Sequence, residues 1–341
     1  MPRQKAPSSK ILVTGATGFL GRHLLEYLVD RVDTKQIRVL TTTSPEWLQE
    51  MDVETVEGSI TSPEIVSVAV EGTQQIYHLA GRVSRNDEDK RGMFAVHVDG
   101  TRILCEAALK AGVKRIVLAS SSGTIAVSED GYDIPNEESP VPIEIIAKFP
   151  YYASKLYQEK TARAICKNDL DLVIVNPSLL LGPGDDRLSS TQDVLKFLAG
   201  DIPAIPPGGI NFVDVRDVAP AFFAAMHRGR NGYNYLLGGP NWTLERFFAH
   251  MERISKTSGP RIKVPARLHT AASKLVESIY KGLGKTPPVE PVSMEMSRYY
   301  WYLDSSRAKE ELDFTPRDPS ETLFDTVDYL RKHFLGSSVF K

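Results

Sequence analysis

The chain of 341 residues has a formal net charge of −2, and its composition is 42% hydrophobic and 25% charged. These values are ordinary for a globular protein, and they give no basic field that would attract nucleic acid or an anionic membrane. Cys105 and Cys166, the two cysteines, lack metal-ligand spacing, so we predict reduced thiols and no metal site. Because no apolar run resembles a signal peptide or approaches the ~20 residues of a membrane helix, we predict a cytoplasmic protein without an integral membrane segment.

The first half of the chain alternates short β-rich runs with segments of helical periodicity. Predicted strands are 10–14, 36–41, 75–80, 115–119 and 170–175, and predicted helices are 19–29, 64–70, 101–111 and 153–166. Strands that alternate with helices indicate right-handed βαβ units around a parallel sheet covered on both faces. The predicted fold class is therefore α/β, a Rossmann-type doubly wound parallel sheet.

The second half is richer in proline and predicts a smaller substrate-binding cap at the C-terminus. Its predicted helices are 244–255, 271–281, 306–312 and 321–334. We place the dinucleotide-binding domain at 1–178, with later strands from about 211–240 returning to it, and the cap mainly at 179–341. The segment 271–282 combines apolar residues with two lysines; packing on the cap is favoured over a helix that lies on a membrane surface.

A glycine-rich run, 14–21, directly follows the first predicted strand and opens a helix, as in a dinucleotide-binding loop. Gly15 permits the tight turn, Gly18 lets the backbone approach a pyrophosphate, and Gly21 lets the helix pack close to the strand. Free amides at the helix N-terminus favour phosphate. The second strand ends in Thr-Thr-Thr-Ser at 41–44, where no carboxylate repels a 2′-phosphate, so NADP(H) is favoured over NAD(H).

Tyr151 and Lys155 lie four residues apart, on one helical face, after a strand that ends in three serines at 120–122. Tyrosine alone is a poor base at neutral pH, but a neighbouring ammonium and a positive nicotinamide ring both lower its pKa. Tyr151 can then exchange a proton with an alcohol or a carbonyl as hydride moves to or from the nicotinamide. A serine hydroxyl at the strand end can hold the substrate oxygen beside the phenol, which completes a proton-transfer site.

These residues resemble the extended short-chain dehydrogenase/reductase family, also called the NAD-dependent epimerase/dehydratase family, from Lys10 to about His333. Further matches are His-Leu-Ala-Gly at 78–81, Gly-Thr at 100–101, Asn-Pro-Ser-Leu-Leu-Leu-Gly-Pro-Gly-Asp at 176–185, and the runs 212–219 and 235–239. The sequence at 176–185 looks most like dihydroflavonol-4-reductase-like and hopanoid-associated sugar epimerase-like members. The resemblance implies Ser122, Tyr151 and Lys155 as the catalytic residues. It also implies a homodimer, because helices that flank the sheet often pair in this family.

The resemblance further implies which residues contact the cofactor. They are Gly15, Thr17, Gly18, Phe19, Leu20, Gly21, Thr42, Ser59, Ile60, Leu79, Ala80, Gly81, Tyr151, Lys155, Pro177 and Ser178. Three positions depart from the family pattern: Ser59 replaces an aspartate that grips the adenine, His97 replaces an asparagine, and Thr42 replaces an arginine of the reductases. The departures leave catalysis in place and loosen the cofactor prediction.

We therefore predict an NAD(P)-dependent oxidoreductase that interconverts a ketone and a secondary alcohol on a small, fairly apolar molecule, with Tyr151 as proton donor and acceptor. Aromatic residues at 299–302 suit either an apolar substrate or the core of the cap, and the core is favoured. A nucleotide-sugar epimerase or dehydratase with tightly bound NAD is the alternative. A non-catalytic cofactor-sensing protein is a lesser alternative, since such proteins typically lose the tyrosine. No nucleic-acid partner is expected.

Overall fold

A seven-stranded parallel sheet forms the centre of the computed structural model, which describes residues 10–84, 89–167, 169–265 and 291–336. The described strands are β1 (Lys10–Thr14), β2 (Ile37–Thr41), β3 (Glu54–Glu57), β4 (Thr73–His78), β5 (Arg115–Ala119), β6 (Asp171–Pro177), β7 (Leu179–Leu181), β8 (Gly209–Asp214), β9 (Asn234–Leu237), β10 (Asn241–Thr243) and β11 (Tyr300–Trp301). The order in the large sheet is β3-β2-β1-β4-β5-β6-β9, and each neighbouring pair is parallel. This arrangement confirms the predicted Rossmann-type fold.

Helices cover both faces of this sheet. The described helices are α1 (Phe19–Val29), α2 (Glu46–Gln49), α3 (Pro63–Val70), α4 (Lys90–Phe94), α5 (Gly100–Ala111), α6 (Ile143–Ile146), α7 (Pro150–Cys166), α8 (Gln192–Ala199), α9 (Val215–Arg228), α10 (Leu244–Ser255), α11 (Pro291–Met296), α12 (Ser306–Leu312) and α13 (Pro319–Leu330). Leu24 of α1 and Phe222 of α9 bury against one face, and Leu104 of α5 and Ala162 of α7 against the other. Since both faces are buried, the central strands are continuous apolar runs.

A second, four-stranded sheet builds the smaller lobe. Strand β8 pairs with β7 and β11 in parallel and with β10 in antiparallel orientation. Helices α8, α10 and α13 pack here around Phe197, Phe212, Trp242, Phe247 and Leu323. Strand β9 lies in the large sheet, whereas β8 belongs to the second sheet. The division into domains at residue 178 stays a prediction.

Local chemistry explains where the predicted elements end. Helix α5 ends at Gly112, whose φ of +73° is the left-handed conformation expected there. Helix α7 begins at Pro150, three residues before the predicted start, because proline is well suited to the first turn. The strand β3 was not predicted. The predicted helix 271–281 lies outside the described residues, and so do the two alternatives for 271–282, packing on the cap and lying on a membrane surface. None of the helices described is both long and apolar enough to cross a bilayer.

Candidate active site

A cleft opens where the loops after β1 and β4 leave the sheet in opposite directions. Such a crevice, at the carboxyl ends of parallel strands, is the usual ligand site of open α/β sheets. The cleft encloses a cavity of about 1060 Å³, which reaches the upper end of the usual range for small-molecule sites. All residues predicted to contact the cofactor, together with Ser122, line this cavity. The structure therefore brings the predicted site residues together, although their individual roles stay predictions.

The glycine loop leaves room for a phosphate group. Gly15 has a φ of +73°, and a Cβ there would lie 2.6 Å from the Ala80 nitrogen. A Cβ at Gly21 would lie 2.0 Å from the Gly15 carbonyl oxygen, so α1 packs as closely as glycine allows. Gly18 is less crowded, with a 3.3 Å approach to the same oxygen. Among the described residues, no side chain caps the N-terminus of α1 and no acidic residue lies in its first turn, so its amides remain suited to an anion.

A buried hydroxyl at the other end of the cavity also fits a bound cofactor. The Ser178 Oγ, just after β6, is buried without a hydrogen-bond partner among the described residues. A buried polar atom without a partner costs about 1–3 kcal/mol, and a polar ligand group at the cavity wall would supply one. The glycine loop and Ser178 lie on different strand ends of the same cavity. The residues present therefore fit an extended dinucleotide.

The end of the cavity beside β2 is rich in hydroxyl groups. Thr41 Oγ1 donates a hydrogen bond to the Thr43 carbonyl oxygen at 2.8 Å, and Thr42 is exposed beside it. Trp47 forms part of the wall, and the Arg22 guanidinium lies 4.9 Å from the centre of its ring. The described lining residues between 41 and 60 include no carboxylate. This end of the site carries no negative charge that would repel a 2′-phosphate.

The predicted catalytic pair, Tyr151 and Lys155, lies at the start of α7. Lys155 is buried, and its Nζ donates to the Ala119 carbonyl oxygen at 2.9 Å and to Gln158 Oε1 at 3.0 Å. Burial lowers the pKa of Lys155 to about 7. One turn earlier, Tyr151 is half-buried at the cavity wall. Burial raises the pKa of its phenol and outweighs a hydrogen bond with Ser121 that lowers it. The pKa decrease expected from the sequence is thus absent from the protein alone, and the phenol is protonated at neutral pH.

Ser121 is the serine whose hydroxyl lowers the pKa of the Tyr151 phenol, although burial raises that pKa by more. Its side chain also accepts from the Gly123 amide, at the start of a 3₁₀ turn over Ser122–Thr124. Ser122 lies on that turn, is buried and lines the same cavity. Ser122 as the catalytic serine stays a prediction, and Ser121 is a second candidate that the sequence analysis missed. The N-capping position before a Ser-Gly-Thr turn is the signal that could have pointed to it.

His97, at the position where the family has asparagine, lies in a π-helical turn over Ala95–Asp99. Its Nε2 accepts the Arg82 amide at 3.1 Å, and its Nδ1 lies 2.8 Å from the Ser154 Oγ. Its ring also contacts the Tyr151 ring edge-on, with the centres 5.9 Å apart. Burial, with a smaller effect of the nearby Lys155, lowers the pKa of His97 to about 2. The imidazole is therefore neutral at physiological pH and joins the Arg82 backbone to α7.

Apolar and aromatic side chains surround the part of the cavity next to Tyr151. Tyr152 and Trp301 lie with their ring centres 4.7 Å apart, and Phe149 contacts Trp301 at 5.7 Å. Other apolar members of this wall are Ile210, Leu244, Val292 and Met296. Gly123 makes room for the aromatic wall, because a Cβ there would lie 2.3 Å from Tyr152 Cε1. These side chains present aromatic and aliphatic surface to the cavity beside Tyr151.

The model of the NAD dependent epimerase/dehydratase family matches residues 11–238. The chain belongs to this family. A putative dihydroflavonol 4-reductase of Synechocystis sp. is 32% identical over 94% of this chain and 94% of its own. Sterol demethylase protein B of Methylococcus capsulatus is 31% identical, over 94% and 98%. The crystal structure of gox2253 is 30% identical, with a TM-score of 0.81 over 96% and 99% of the two chains.

These similarities confirm the family predicted from the sequence. The chain is an enzyme of the NAD(P)-dependent, extended short-chain dehydrogenase/reductase type, and its cofactor is a nicotinamide dinucleotide.

Proposed function

We propose that this enzyme interconverts a ketone and a secondary alcohol on a small, apolar molecule, with NADP(H) favoured over NAD(H). The observation that carries the proposal is the place of Tyr151, whose phenol lies at the wall shared by the catalytic lysine and the apolar part of the cavity. When bound, the nicotinamide supplies or accepts the hydride.

The raised pKa of Tyr151 suits the reductive direction. A phenol that is protonated at neutral pH can donate its proton to the carbonyl oxygen as that oxygen gains charge. A hydroxyl of Ser121 or Ser122 can donate to the same oxygen. Lys155 would hold the ribose, and a positive ring nearby would lower the pKa of Tyr151 when the reaction runs towards the ketone.

The proposed substrate class is a multi-ring or otherwise flat, apolar molecule. The aromatic wall of Phe149, Tyr152 and Trp301 supports this class, because aromatic rings bind flat apolar surfaces well. The names of two relatives refer to a dihydroflavonol and to a sterol, both of which are multi-ring molecules.

NADP(H) is favoured because the lining residues next to β2 carry hydroxyls and no carboxylate. Gly15 to Gly21 would hold the pyrophosphate, and Pro177 and Ser178 would contact the nicotinamide end. The predicted homodimer and cytoplasmic location stay predictions.

A nucleotide-sugar epimerase or dehydratase that retains NAD is the second candidate, and the matched family is named for those reactions. A sugar nucleotide needs cations for its diphosphate. Arg82, which lines the cavity, is paired with Asp89 at 2.6 Å, and the exposed Arg187 lies among the lining residues. Arg187 could thus serve a diphosphate, but the aromatic wall of Phe149, Tyr152 and Trp301 favours the first candidate.

Turnover assays separate the candidates. With flavanone-type and steroid ketones and either reduced cofactor, the reductase consumes reduced nicotinamide in proportion to ketone. Tyr151→Phe should lower that turnover by about 10²-fold or more, because the variant lacks the proton donor. Retained turnover in Tyr151→Phe would remove the tyrosine from the mechanism. Conversion of UDP-glucose without net cofactor oxidation would instead support the second candidate.

A further inference from the structure

Beneath the cavity, a line of buried polar side chains connects α7 with β1. Gln158 Nε2 donates to Thr101 Oγ1 at 2.9 Å, and Thr101 Oγ1 lies 2.8 Å from His78 Nε2. His78 Nδ1 lies 2.8 Å from Thr14 Oγ1, at the last residue before the glycine loop. The four side chains are fully buried. At the other end of the line, Gln158 Oε1 accepts from Lys155.

The chemistry of the two ends fixes the orientation of the Gln158 amide. An ammonium can only donate, so the amide oxygen must face Lys155 and the amide nitrogen must face Thr101. Gln158 can satisfy both neighbours at once because it carries an acceptor and a donor. A hydrocarbon side chain of the same length could satisfy neither of them.

The neighbouring acid is already committed to other partners. Glu159 accepts hydrogen bonds from Ser120, Thr124, Asn176 and Asn234. Within the described part of the chain, the two hydrogen bonds of Lys155 Nζ go to neutral oxygens, those of Ala119 and Gln158.

The titratable groups around the ammonium come from three elements. Glu159 and Tyr151 lie on α7, His78 lies on β4, and His97 lies on the π-helical turn. Glu159 raises the pKa of Lys155, but burial lowers it by more. The two histidines are neutral at physiological pH, because burial lowers their pKa values to about 3 and about 2. A neutral partner at position 158 therefore leaves the charge of Lys155 sensitive to pH.

We propose that Gln158 is a positioning residue that holds the Lys155 ammonium at the cavity wall and sets the pH range over which the enzyme binds its nicotinamide cofactor. The inference rests on the proposed function, in which Lys155 contacts the cofactor. The lysine donates well only while it is protonated, so affinity should decrease as the pH rises through the pKa of Lys155. Above that pH the dissociation constant should rise by up to about tenfold per pH unit, the limit for one proton.

The test measures the dissociation constants of NADPH and NADH from about pH 5.5 to about pH 9, across the range where such a group titrates. Quenching of protein fluorescence provides the signal, since Trp47 and Trp301 line the cavity. Gln158→Glu places a carboxylate against the ammonium and should move the rise in dissociation constant by about one pH unit or more to higher pH. Gln158→Met removes the acceptor and should move it to lower pH.

Lys160→Gln is the matched control, since Lys160 lies on the same helix with its side chain exposed beside Tyr157. The pH dependence of its dissociation constants for NADPH and NADH should coincide with that of the unmodified enzyme. Thermal melting of each variant identifies those that fold, and either folded Gln158 variant is sufficient for the test.

Three results would overturn the inference. The first is a Gln158 variant that folds and keeps the original midpoint while its affinity falls equally at every pH, which is what a merely structural role produces. The second is a dissociation constant of the unmodified enzyme that does not change across this range. The third is an unmodified enzyme that binds neither cofactor. In that case the proposed function fails as well, whereas the first two results contradict only the role of Gln158.

Discussion

His97 Nδ1 lies 2.8 Å from the Ser154 hydroxyl, and that hydroxyl donates to the carbonyl oxygen of Tyr151 at 2.7 Å. Because His97 Nε2 accepts from the Arg82 amide, the proton of the neutral ring belongs on Nδ1, which donates to Ser154. The imidazole thus joins the loop after β4 to the turn of α7 that carries Tyr151. A residue that looks like a departure from the family pattern serves here to fix the position of Tyr151.

This buried, neutral imidazole should make stability depend on pH. The pKa of His97 is about 2 in the folded enzyme and 6.5 in an unfolded reference, so the unfolded chain binds one more proton in between. The contribution of His97 is complete above pH 6.5 and is lost as the pH falls below it, by up to about 1.4 kcal/mol per pH unit. Urea unfolding of the wild type and of His97→Asn at several acidic pH values measures this.

On unfolding in this pH range, the wild type should take up one proton more than His97→Asn. His78 has the same sign, with a folded pKa of about 3, and it is unchanged in His97→Asn. The wild type should therefore lose stability more steeply than the variant between about pH 6 and about pH 4, by up to about 1.4 kcal/mol per pH unit. Equal slopes in the two proteins would show that His97 is not held neutral in the folded state.

The sequence predicted the parts of this site that are local. The glycine loop directly follows its strand, and Tyr151 and Lys155 are one helical turn apart, so spacing alone predicts that each acts as a unit. The line from Gln158 to Thr101 joins residues 57 positions apart, and only the packing of α5 against α7 brings them together. No periodicity in the chain signals such a contact.

The three serines after β5 also show that a sequence pattern does not reveal which side chains come into contact, here among neighbouring residues. Ser120, Ser121 and Ser122 are chemically identical, and their side chains point in different directions because the strand gives way to a 3₁₀ turn. Ser120 donates to Glu159, whereas the hydroxyl of Ser121 lowers the pKa of the Tyr151 phenol. The sequence located the group of serines, and the choice of Ser122 among them stays a prediction.

Alanine variants of the two remaining serines should separate their roles. Ser121→Ala removes the hydroxyl beside Tyr151 and should lower kcat by about tenfold to about 10²-fold, since that hydroxyl also stabilises the developing charge. In a Tyr151→Phe background the same change should add little, because the two groups act on one oxygen. Ser122→Ala is the comparison, and a larger kcat loss there than in Ser121→Ala would assign the catalytic role to Ser122. Steady-state kinetics with a ketone that the turnover assays identify as a substrate provide the measurement.

A charge at the tip of β2 should change the cofactor preference. Thr42 is exposed at the cavity edge beside Thr41, so Thr42→Asp places a carboxylate where a 2′-phosphate is expected. The dissociation constant of NADPH should rise by about tenfold, the effect of a repulsion of ~1.4 kcal/mol between exposed charges. That of NADH should fall or stay unchanged. Thr42→Asn is the uncharged control, and an equal loss for both cofactors in Thr42→Asp would place the phosphate elsewhere.

Alanine at two glycines of the same loop should affect different properties, stability at Gly21 and cofactor binding at Gly18. At Gly21 a Cβ would lie 2.0 Å from the Gly15 carbonyl oxygen and 2.8 Å from the Ala16 Cα. Gly21→Ala must therefore push α1 off its strand, with a loss of about 1–3 kcal/mol or more in the free energy of unfolding. Gly18 has ordinary extended dihedrals, φ −84° and ψ 172°, so Gly18→Ala should cost the fold about 1 kcal/mol or less.

The methyl group of Gly18→Ala would nevertheless occupy the space beside the helix amides, where the pyrophosphate is expected to lie. The dissociation constants of NADPH and NADH should therefore both rise by about tenfold or more in a protein of nearly normal stability. Chemical unfolding and fluorescence titration of the same preparations give the two quantities. A Gly18→Ala protein that binds both cofactors normally would mean that the phosphates do not approach the N-terminus of α1, and the placement of the dinucleotide would have to be revised.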